Sequence, residues 1–396
     1  MSTALNIIAD AHIWEVNSAF SALPGFDVQL KVLENRHITP TAIQHADILL
    51  TRSSTRVNAE LLQGSSVRFA GTATIGDDHY DKTWLEANGI TWANAAGSST
   101  DSVIEYMITA LLDLHIQGLI SIPDTCIGII GAGRIGSKLA TICEALDMTV
   151  LCNDPPRARV EDSDVFCSLD QLLEQADILT LHTPLIHDGV DCTIHLLGRE
   201  PLARFGGKGI INAGRGACVD NPALCNWLGD KPDRFAVIDC WEKEPAPLLR
   251  LINHPGLAIA TPHIAGHSIE GKAANTAFIY KALCKFLNIK PIWNMAHYLP
   301  TIPAPVEIRT GETPWHTLHH AATALYPIYR DHRIMQSWGQ LPDSELAKAF
   351  TGYRRQYPAR RGWRHAPVHF IDADKNALKL AQIIGIINSP TGGAVS

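Results

Sequence analysis

Apolar and polar positions along the first hundred residues alternate in short blocks. Residues 6–9, 48–51, 68–72 and 90–93 are compact apolar runs of strand length, and 58–64 and 80–88 between them carry helical spacing. Strands separated by helices in this rhythm predict a parallel α/β sheet, because each crossover must return to the same edge of the sheet. From Ser102 the run Val103-Ile-Glu-Tyr-Met-Ile-Thr-Ala-Leu-Leu-Asp-Leu predicts a long apolar helix. Further βα units follow at 127–136, 148–154, 177–182, 209–212, 235–239 and 257–260. A helix over about 270–287 is expected to return to the first domain. Residues 291–314, with Leu299-Pro-Thr-Ile-Pro-Ala-Pro, read as a linker. Beyond it, 315–396 forms a third unit with helical patterns at 316–329 and 344–353 and a strand at 367–371.

The 396 residues are enough for two or three domains, each with its own core. A net charge of -7 gives no electrostatic reason for a nucleic-acid or anionic-membrane partner. No apolar run has the length of a bilayer span, and Met1-Ser-Thr-Ala lacks the basic and apolar regions of a secretory signal, so a cytoplasmic location is expected. The nine cysteines contain no CxxC pair and no clustered histidines, which predicts reduced, mostly buried thiols and no metal site.

Chemistry concentrates at strand ends. Ile127-Gly-Ile-Ile-Gly-Ala-Gly-Arg-Ile-Gly136 places three glycines between a strand and a helix, the pattern of a dinucleotide-binding turn. Gly131 permits the turn, Gly133 lets backbone approach a pyrophosphate, and Gly136 lets the helix lie close on its strand. Asp154 ends the next strand, where a carboxylate accepts the ribose hydroxyls of NAD. Arg215, Glu244 and His263 stand at the ends of successive later strands. Together they supply what hydride transfer from a hydroxy acid requires: a bidentate clamp for a carboxylate, an acid to orient an imidazole, and the imidazole as proton acceptor.

The ordered set Gly131-x-Gly-x-x-Gly136, Asn212-Ala-Gly-Arg-Gly-Ala-Cys-Val-Asp220, Asp239-Cys-Trp-Glu-Lys-Glu-Pro245 and Thr261-Pro-His-Ile-Ala-Gly266 resembles the NAD-dependent D-2-hydroxyacid dehydrogenases. A narrower branch, whose substrate is phosphorylated, is similar at Thr51-Arg-Ser-Ser-Thr-Arg-Val-Asn, Phe69-Ala-Gly-Thr-Ala-Thr-Ile-Gly-Asp-Asp-His-Tyr-Asp, His182-Thr-Pro-Leu and His263-Ile-Ala-Gly-His-Ser-Ile-Glu-Gly-Lys. The resemblance implies two doubly wound parallel-sheet domains: a Rossmann-type NAD domain at 101–266 and a flavodoxin-like substrate domain at 1–100 and 267–290. A small α+β C-terminal domain at 291–396 would serve homodimerisation. It further implies that Arg215 and Glu244 are active-site residues and His263 the proton donor or acceptor. Asp154, Thr183, Asp239 and Gly266 would contact NAD, the backbone of Arg134 and Ile135 would lie at the pyrophosphate, and Ser53, Thr74 and His267 would contact substrate.

Four positions depart from that pattern: His267 in place of a tyrosine, Gly214, Asp77, and the loop Gly97-Ser-Ser-Thr-Asp-Ser, in which Asp101 is expected to cap the helix beginning near Ser102. Five arginines in Tyr353-Arg-Arg-Gln-Tyr-Pro-Ala-Arg-Arg-Gly-Trp-Arg-His365 form either a solvated basic face or a source of positive potential near a partner's substrate. Dehydrogenation of another 2-hydroxy acid, such as phosphoglycerate or glycerate, and a non-catalytic NAD(H)-sensing role on the same fold stand as alternatives.

Overall fold

The computed structural model describes residues 3–161 and 164–389. They form two compact units, one running to Ser99 and including Ser268–Thr301, the other comprising Thr100–His267 and the described residues from Ile302 onward.

The first unit is built on five parallel strands, β1 (Thr3–Asp10), β2 (Phe26–Leu33), β3 (Ile48–Thr51), β4 (Phe69–Thr72) and β5 (Thr91–Ala93), in the order β2-β1-β3-β4-β5. Central β3 and β4 are buried at every position, as a parallel sheet covered on both faces requires. Edge strand β2 alternates instead, with Phe26, Val28, Leu30 and Val32 packing on the core and Asp27, Gln29 and Lys31 exposed. The helix Ile269–Phe286 covers one face through Ile279, Tyr280 and Leu283. It approaches so closely that a Cβ on Gly71 would stand 2.7 Å from Ile279 Cγ2.

The second unit contains six parallel strands, β6 (Cys126–Ile130), β7 (Thr149–Asn153), β8 (Ile178–Leu181), β9 (Gly209–Asn212), β10 (Phe235–Ile238) and β11 (Leu257–Ala260), ordered β11-β10-β9-β8-β6-β7. The order reverses between β6 and β8, the switch point at which doubly wound sheets bind ligands beyond their carboxyl ends. The helix Thr100–Ile116 has 13 of its 17 residues buried, which explains its apolar character around the whole circumference.

The C-terminal segment shares this unit's core. Ile308, Leu318, Ala322, Tyr326 and Trp363 lie in one buried cluster with Ile104, Leu111, Ile127 and Ile259. Within the expected linker, residues Val306–Arg309 form β12, paired in parallel with β13 (Val368–Ile371). The helical pattern at 316–329 is two helices, Pro314–Leu325 and Ile328–Ser337, because Pro327 has no N–H to continue the first. Further helices occupy Asp343–Arg355 and Lys375–Ile384. A buried ion pair between Glu105 and Arg360 joins the long helix to the segment after Arg355, and Glu105 also accepts a bond from Trp363 N–H at 2.8 Å. Removing either partner would leave an uncompensated buried charge, which costs about 3–5 kcal/mol. No helix of the described residues is long and apolar enough to cross a membrane.

Candidate active site

In the second unit each candidate stands just past the carboxyl end of a different strand: Gly131 after β6, Asp154 after β7, Thr183 after β8, Arg215 after β9, Glu244 after β10 and His263 after β11. The three turn glycines differ in what surrounds them. Gly131 has φ +88°, and a Cβ there would lie 2.9 Å from the backbone of His182 and Thr183. Gly136 packs so tightly that its Cβ would be 2.1 Å from Gly131 O. Gly133, by contrast, has nothing within 4 Å of an added Cβ, and as N-cap of the helix Arg134–Ala145 it brings no side-chain bond to the helix's first N–H groups. Open space beside uncapped donors at a helix N-terminus fits an anionic pyrophosphate.

Asp154 accepts a bond from Ala132 N–H at 2.9 Å and one from Arg157 N–H at 3.1 Å, which ties the end of β7 to the glycine turn. The Arg157 guanidinium is engaged with Glu161 through both Nε and Nη2. Thr183 Oγ1 donates to Cys218 Sγ at 3.4 Å.

Buried Asn212 organises the Arg215 loop. Its Oδ1 accepts from Gly214 N–H at 3.1 Å, and its Nδ2 donates to Arg215 O at 3.0 Å and Cys240 O at 3.3 Å. Gly216 lies against the next loop, where a Cβ would be 1.9 Å from Trp241 O, so only glycine admits this approach. Arg215 itself donates from Nη1 to Gly214 O at 2.9 Å.

His263 and Glu244 are paired, Nδ1 to Oε2 at 2.7 Å, with side chains 31% and 22% exposed, so the imidazole is mostly covered yet still reachable. Glu244 Oε1 accepts from Trp241 N–H at 2.8 Å. Burial pushes the Glu244 carboxyl up, but the His263 charge and hydrogen bond, the Arg354 charge and the Trp241 N–H together outweigh it and hold the carboxyl below its ordinary range. With Glu244 ionised, Nδ1 is the donor, and the neutral ring presents Nε2 as acceptor.

The His263 backbone is left-handed, φ +55°, a conformation that needs support in a residue other than glycine. Asp239 provides much of it. Its carbonyl accepts from His263 N–H at 2.8 Å, and its carboxylate accepts from Thr261 Oγ1 and Ile264 N–H at 2.7 Å and Ala265 N–H at 3.1 Å. The carboxylate of Asp239, 1% exposed, is thus occupied by the 261–265 loop. Gly266 sits in the following turn, and the His267 ring lies 5.6 Å from that of Tyr357.

Cys240 Sγ, a Glu244 oxygen and a His263 nitrogen lie within 4.8 Å of one another. Burial and the Asp239 and Glu244 charges push the Cys240 thiol well up, so that it stands protonated beside the pair.

Two expected site residues belong to the first unit. Ser53 is exposed in the turn after β3. Thr74 Oγ1 donates to Gly76 O at 2.8 Å and shares a 2.7 Å bond with Thr72 Oγ1. In the same unit, burial and the nearby Arg52 charge lower the pKa of Lys272, so two cations lie close together. Asp77, one of the departures, pairs with Lys82 and accepts from Asn94. Asp101 does not cap the long helix. The helix starts at Thr100, two residues before the expected Ser102, which places Asp101 in its first turn, paired with Lys138 of the same second unit.

Sequence reasoning missed three contributors to the Arg215 and His263 loops. Asn212 could have been found as a polar residue ending an apolar strand. Trp241, which also donates from Nε1 to Thr261 O at 2.8 Å, was legible only as part of the motif. Arg354, whose Nε donates to His263 O at 3.1 Å, lies 91 residues away and gave no local signal.

A doubly wound sheet with a glycine-rich turn and an Arg, Glu and His at successive strand ends defines the D-isomer specific 2-hydroxyacid dehydrogenase class, and residues 115–265 match the model of that family's NAD binding domain. The likeness extends over nearly the whole chain. Erythronate-4-phosphate dehydrogenase of Azotobacter vinelandii is 40% identical over 362 residues, covering 90% of this chain and 93% of the relative. The enzyme of the same name from Chromohalobacter salexigens is 41% identical over 337 residues, covering 83% and 85%. The chain belongs to the erythronate-4-phosphate dehydrogenase family. Among solved structures, NAD+-bound 3-phosphoglycerate dehydrogenase of Entamoeba histolytica superposes with a TM-score of 0.61 at 21% identity, covering 74% of this chain and 99% of that one. D-lactate dehydrogenase of Aquifex aeolicus, complexed with NAD and lactic acid, gives 0.59 at 22% identity, covering 72% and 96%. At these identities the agreement is one of fold.

Proposed function

We propose that this chain oxidises 4-phospho-D-erythronate to (R)-3-hydroxy-2-oxo-4-phosphooxybutanoate with NAD, a step of pyridoxal phosphate biosynthesis. The observation that carries the chemistry is the 2.7 Å pairing of His263 with an ionised Glu244 at adjacent strand ends, in a chain of this family. The N–H groups of Arg134 and Ile135 at the helix start hold the cofactor pyrophosphate, Asp154 accepts from the ribose, and Thr183 and Gly266 complete the contacts; Asp239, assigned to NAD by resemblance, has its carboxylate taken up by the 261–265 loop and acts by shaping that loop. When bound, NAD accepts the hydride from C2 of the substrate. Arg215 clamps the substrate carboxylate with its planar fork. Neutral His263 takes the C2 hydroxyl proton at Nε2, and Glu244 fixes the tautomer through Nδ1 and stabilises the imidazolium.

Ser53, Thr74 and His267 are assigned to substrate by resemblance to the family, as are the homodimer and a cytoplasmic location. Sedimentation of the full chain tests the dimer. The activity is tested by NADH absorbance across phosphorylated and unphosphorylated 2-hydroxy acids, with 4-phospho-D-erythronate expected to give the highest kcat/KM. A higher value for phosphoglycerate or glycerate would replace the substrate, and no NADH from any acid would point to a sensing role.

A further inference from the structure

We propose that Arg354 is a positioning residue for His263, clamping the histidine's carbonyl from the C-terminal segment and placing a fixed positive charge beside the His263–Glu244 pair. The proposal rests on the reading of His263 as the proton acceptor. It starts from the left-handed conformation of His263, which costs on the order of 1–3 kcal/mol and persists only where the surroundings over-determine it. The N–H of His263 is bonded to Asp239 and its side chain to Glu244, both close in sequence. The bond to its carbonyl comes from Arg354, in the last turn of the helix Asp343–Arg355.

That helix end is itself held firmly. Tyr353 and Tyr357 donate to the two oxygens of fully buried Asp331 at 2.6 and 2.8 Å, and the Arg354 guanidinium lies 5.8 Å from the centre of the buried Phe350 ring. A long side chain on an immobile base can transmit position to the loop it touches. Besides Arg354, the charged and titratable groups facing the pair among the described residues include Asp239 and Cys240, and Arg215 acts on Cys240 in turn. Arg354 is the cation whose charge contributes to holding Glu244 ionised. It thereby opposes protonation of the pair as a whole, so its removal makes the pair hold a proton to higher pH.

The test compares Arg354→Met and Arg354→Lys with the intact enzyme and with His263→Ala, reading kcat, KM, NAD affinity, melting temperature and the pH profile of oxidation. Arg354→Met should lower kcat roughly tenfold to hundredfold, the effect of a displaced reacting group, with NAD affinity unchanged. It should also move the alkaline rise of kcat/KM upward by roughly half a pH unit to one unit. Arg354→Lys, which keeps charge but not the fork, should leave the midpoint in place and lose part of kcat. If Arg354→Met keeps kcat and the pH midpoint while His263→Ala is inactive, the proposal is wrong and the reading of His263 stands. A lowered melting temperature with unchanged kcat and midpoint likewise overturns it, since Arg354 would then serve stability alone. If His263→Ala retains turnover, both readings fall.

Discussion

Replacing Glu244 by glutamine is nearly isosteric, and the structure fixes what the amide must do. Trp241 N–H lies 2.8 Å from Oε1, so the amide oxygen is drawn to that position and the NH2 group is turned toward His263 Nδ1, 2.7 Å from the other oxygen. Nδ1 must then accept, which puts the ring proton on Nε2 and removes the lone pair that should receive the hydroxyl proton. Flipping the amide restores the tautomer but sets an NH2 against Trp241 N–H, at a cost of about 1–3 kcal/mol for an unsatisfied buried donor. The imidazolium formed in oxidation also loses a charge-assisted bond worth about 1.5–3 kcal/mol. Together these amount to roughly 3–6 kcal/mol, and at 1.4 kcal/mol per tenfold a fall in kcat of about 10²- to 10⁴-fold is expected. The assay is NADH production at saturating NAD and substrate, with NAD affinity measured separately and expected unchanged. A kcat within threefold of the intact enzyme would refute the reasoning, because it would mean that Glu244 does not govern the tautomer.

The glycine turn makes a paired prediction. Gly136→Ala should destabilise the fold by about 1–3 kcal/mol or more, since a Cβ 2.1 Å from Gly131 O forces the turn apart, whereas Gly133→Ala should melt normally yet bind NAD weakly by calorimetry. Normal NAD affinity in Gly133→Ala would show that the pyrophosphate lies elsewhere. His182, whose Nε2 shares a 3.0 Å bond with Thr180 Oγ1, has its pKa lowered by burial from 6.5 to about 4. Between those values the unfolded chain binds a proton that the folded chain refuses, so this group's contribution to stability is present above pH 6.5 and is lost as pH falls toward 4. Urea unfolding should show roughly 2–3 kcal/mol less acid destabilisation between pH 7 and 4.5 in His182→Asn. An equal loss in both proteins would refute this.

Both large sheets were legible because several of their strands, edge strand β11 included, are short continuous apolar runs bounded by turn residues: 48–51, 209–212 and 257–260 coincide with β3, β9 and β11. The strand β2 was missed although Phe26, Val28, Leu30 and Val32 alternate as an edge strand should, because Asp27, Gln29 and Lys31 dilute its apolar character. In 302–389 the outcome depended on long-range pairing. The residues of β12 lie among prolines and gain strand geometry only from β13, about 60 residues later. The arginine cluster shows the same limit from the side of the site. Composition left Arg354 and Arg360 as surface charge or as a supply of potential to a partner. In the structure Arg360 is buried against Glu105, and Arg354 reaches the His263 carbonyl of its own chain. The strand-end residues Arg215, Glu244 and His263 were readable because a doubly wound sheet puts every such position on one side, whereas Asp239 was read as a cofactor contact without any sign that its carboxylate also builds the His263 loop.

His263 is the group on which proton transfer in oxidation of the phosphorylated acid depends most directly. The measurement is NADH formation from 4-phospho-D-erythronate by the full chain and by His263→Ala, with NAD affinity determined for both. The intact chain should turn over and the variant should be slower by roughly 10²- to 10⁴-fold at equal NAD affinity. Turnover by the variant within tenfold of the intact chain would contradict the account.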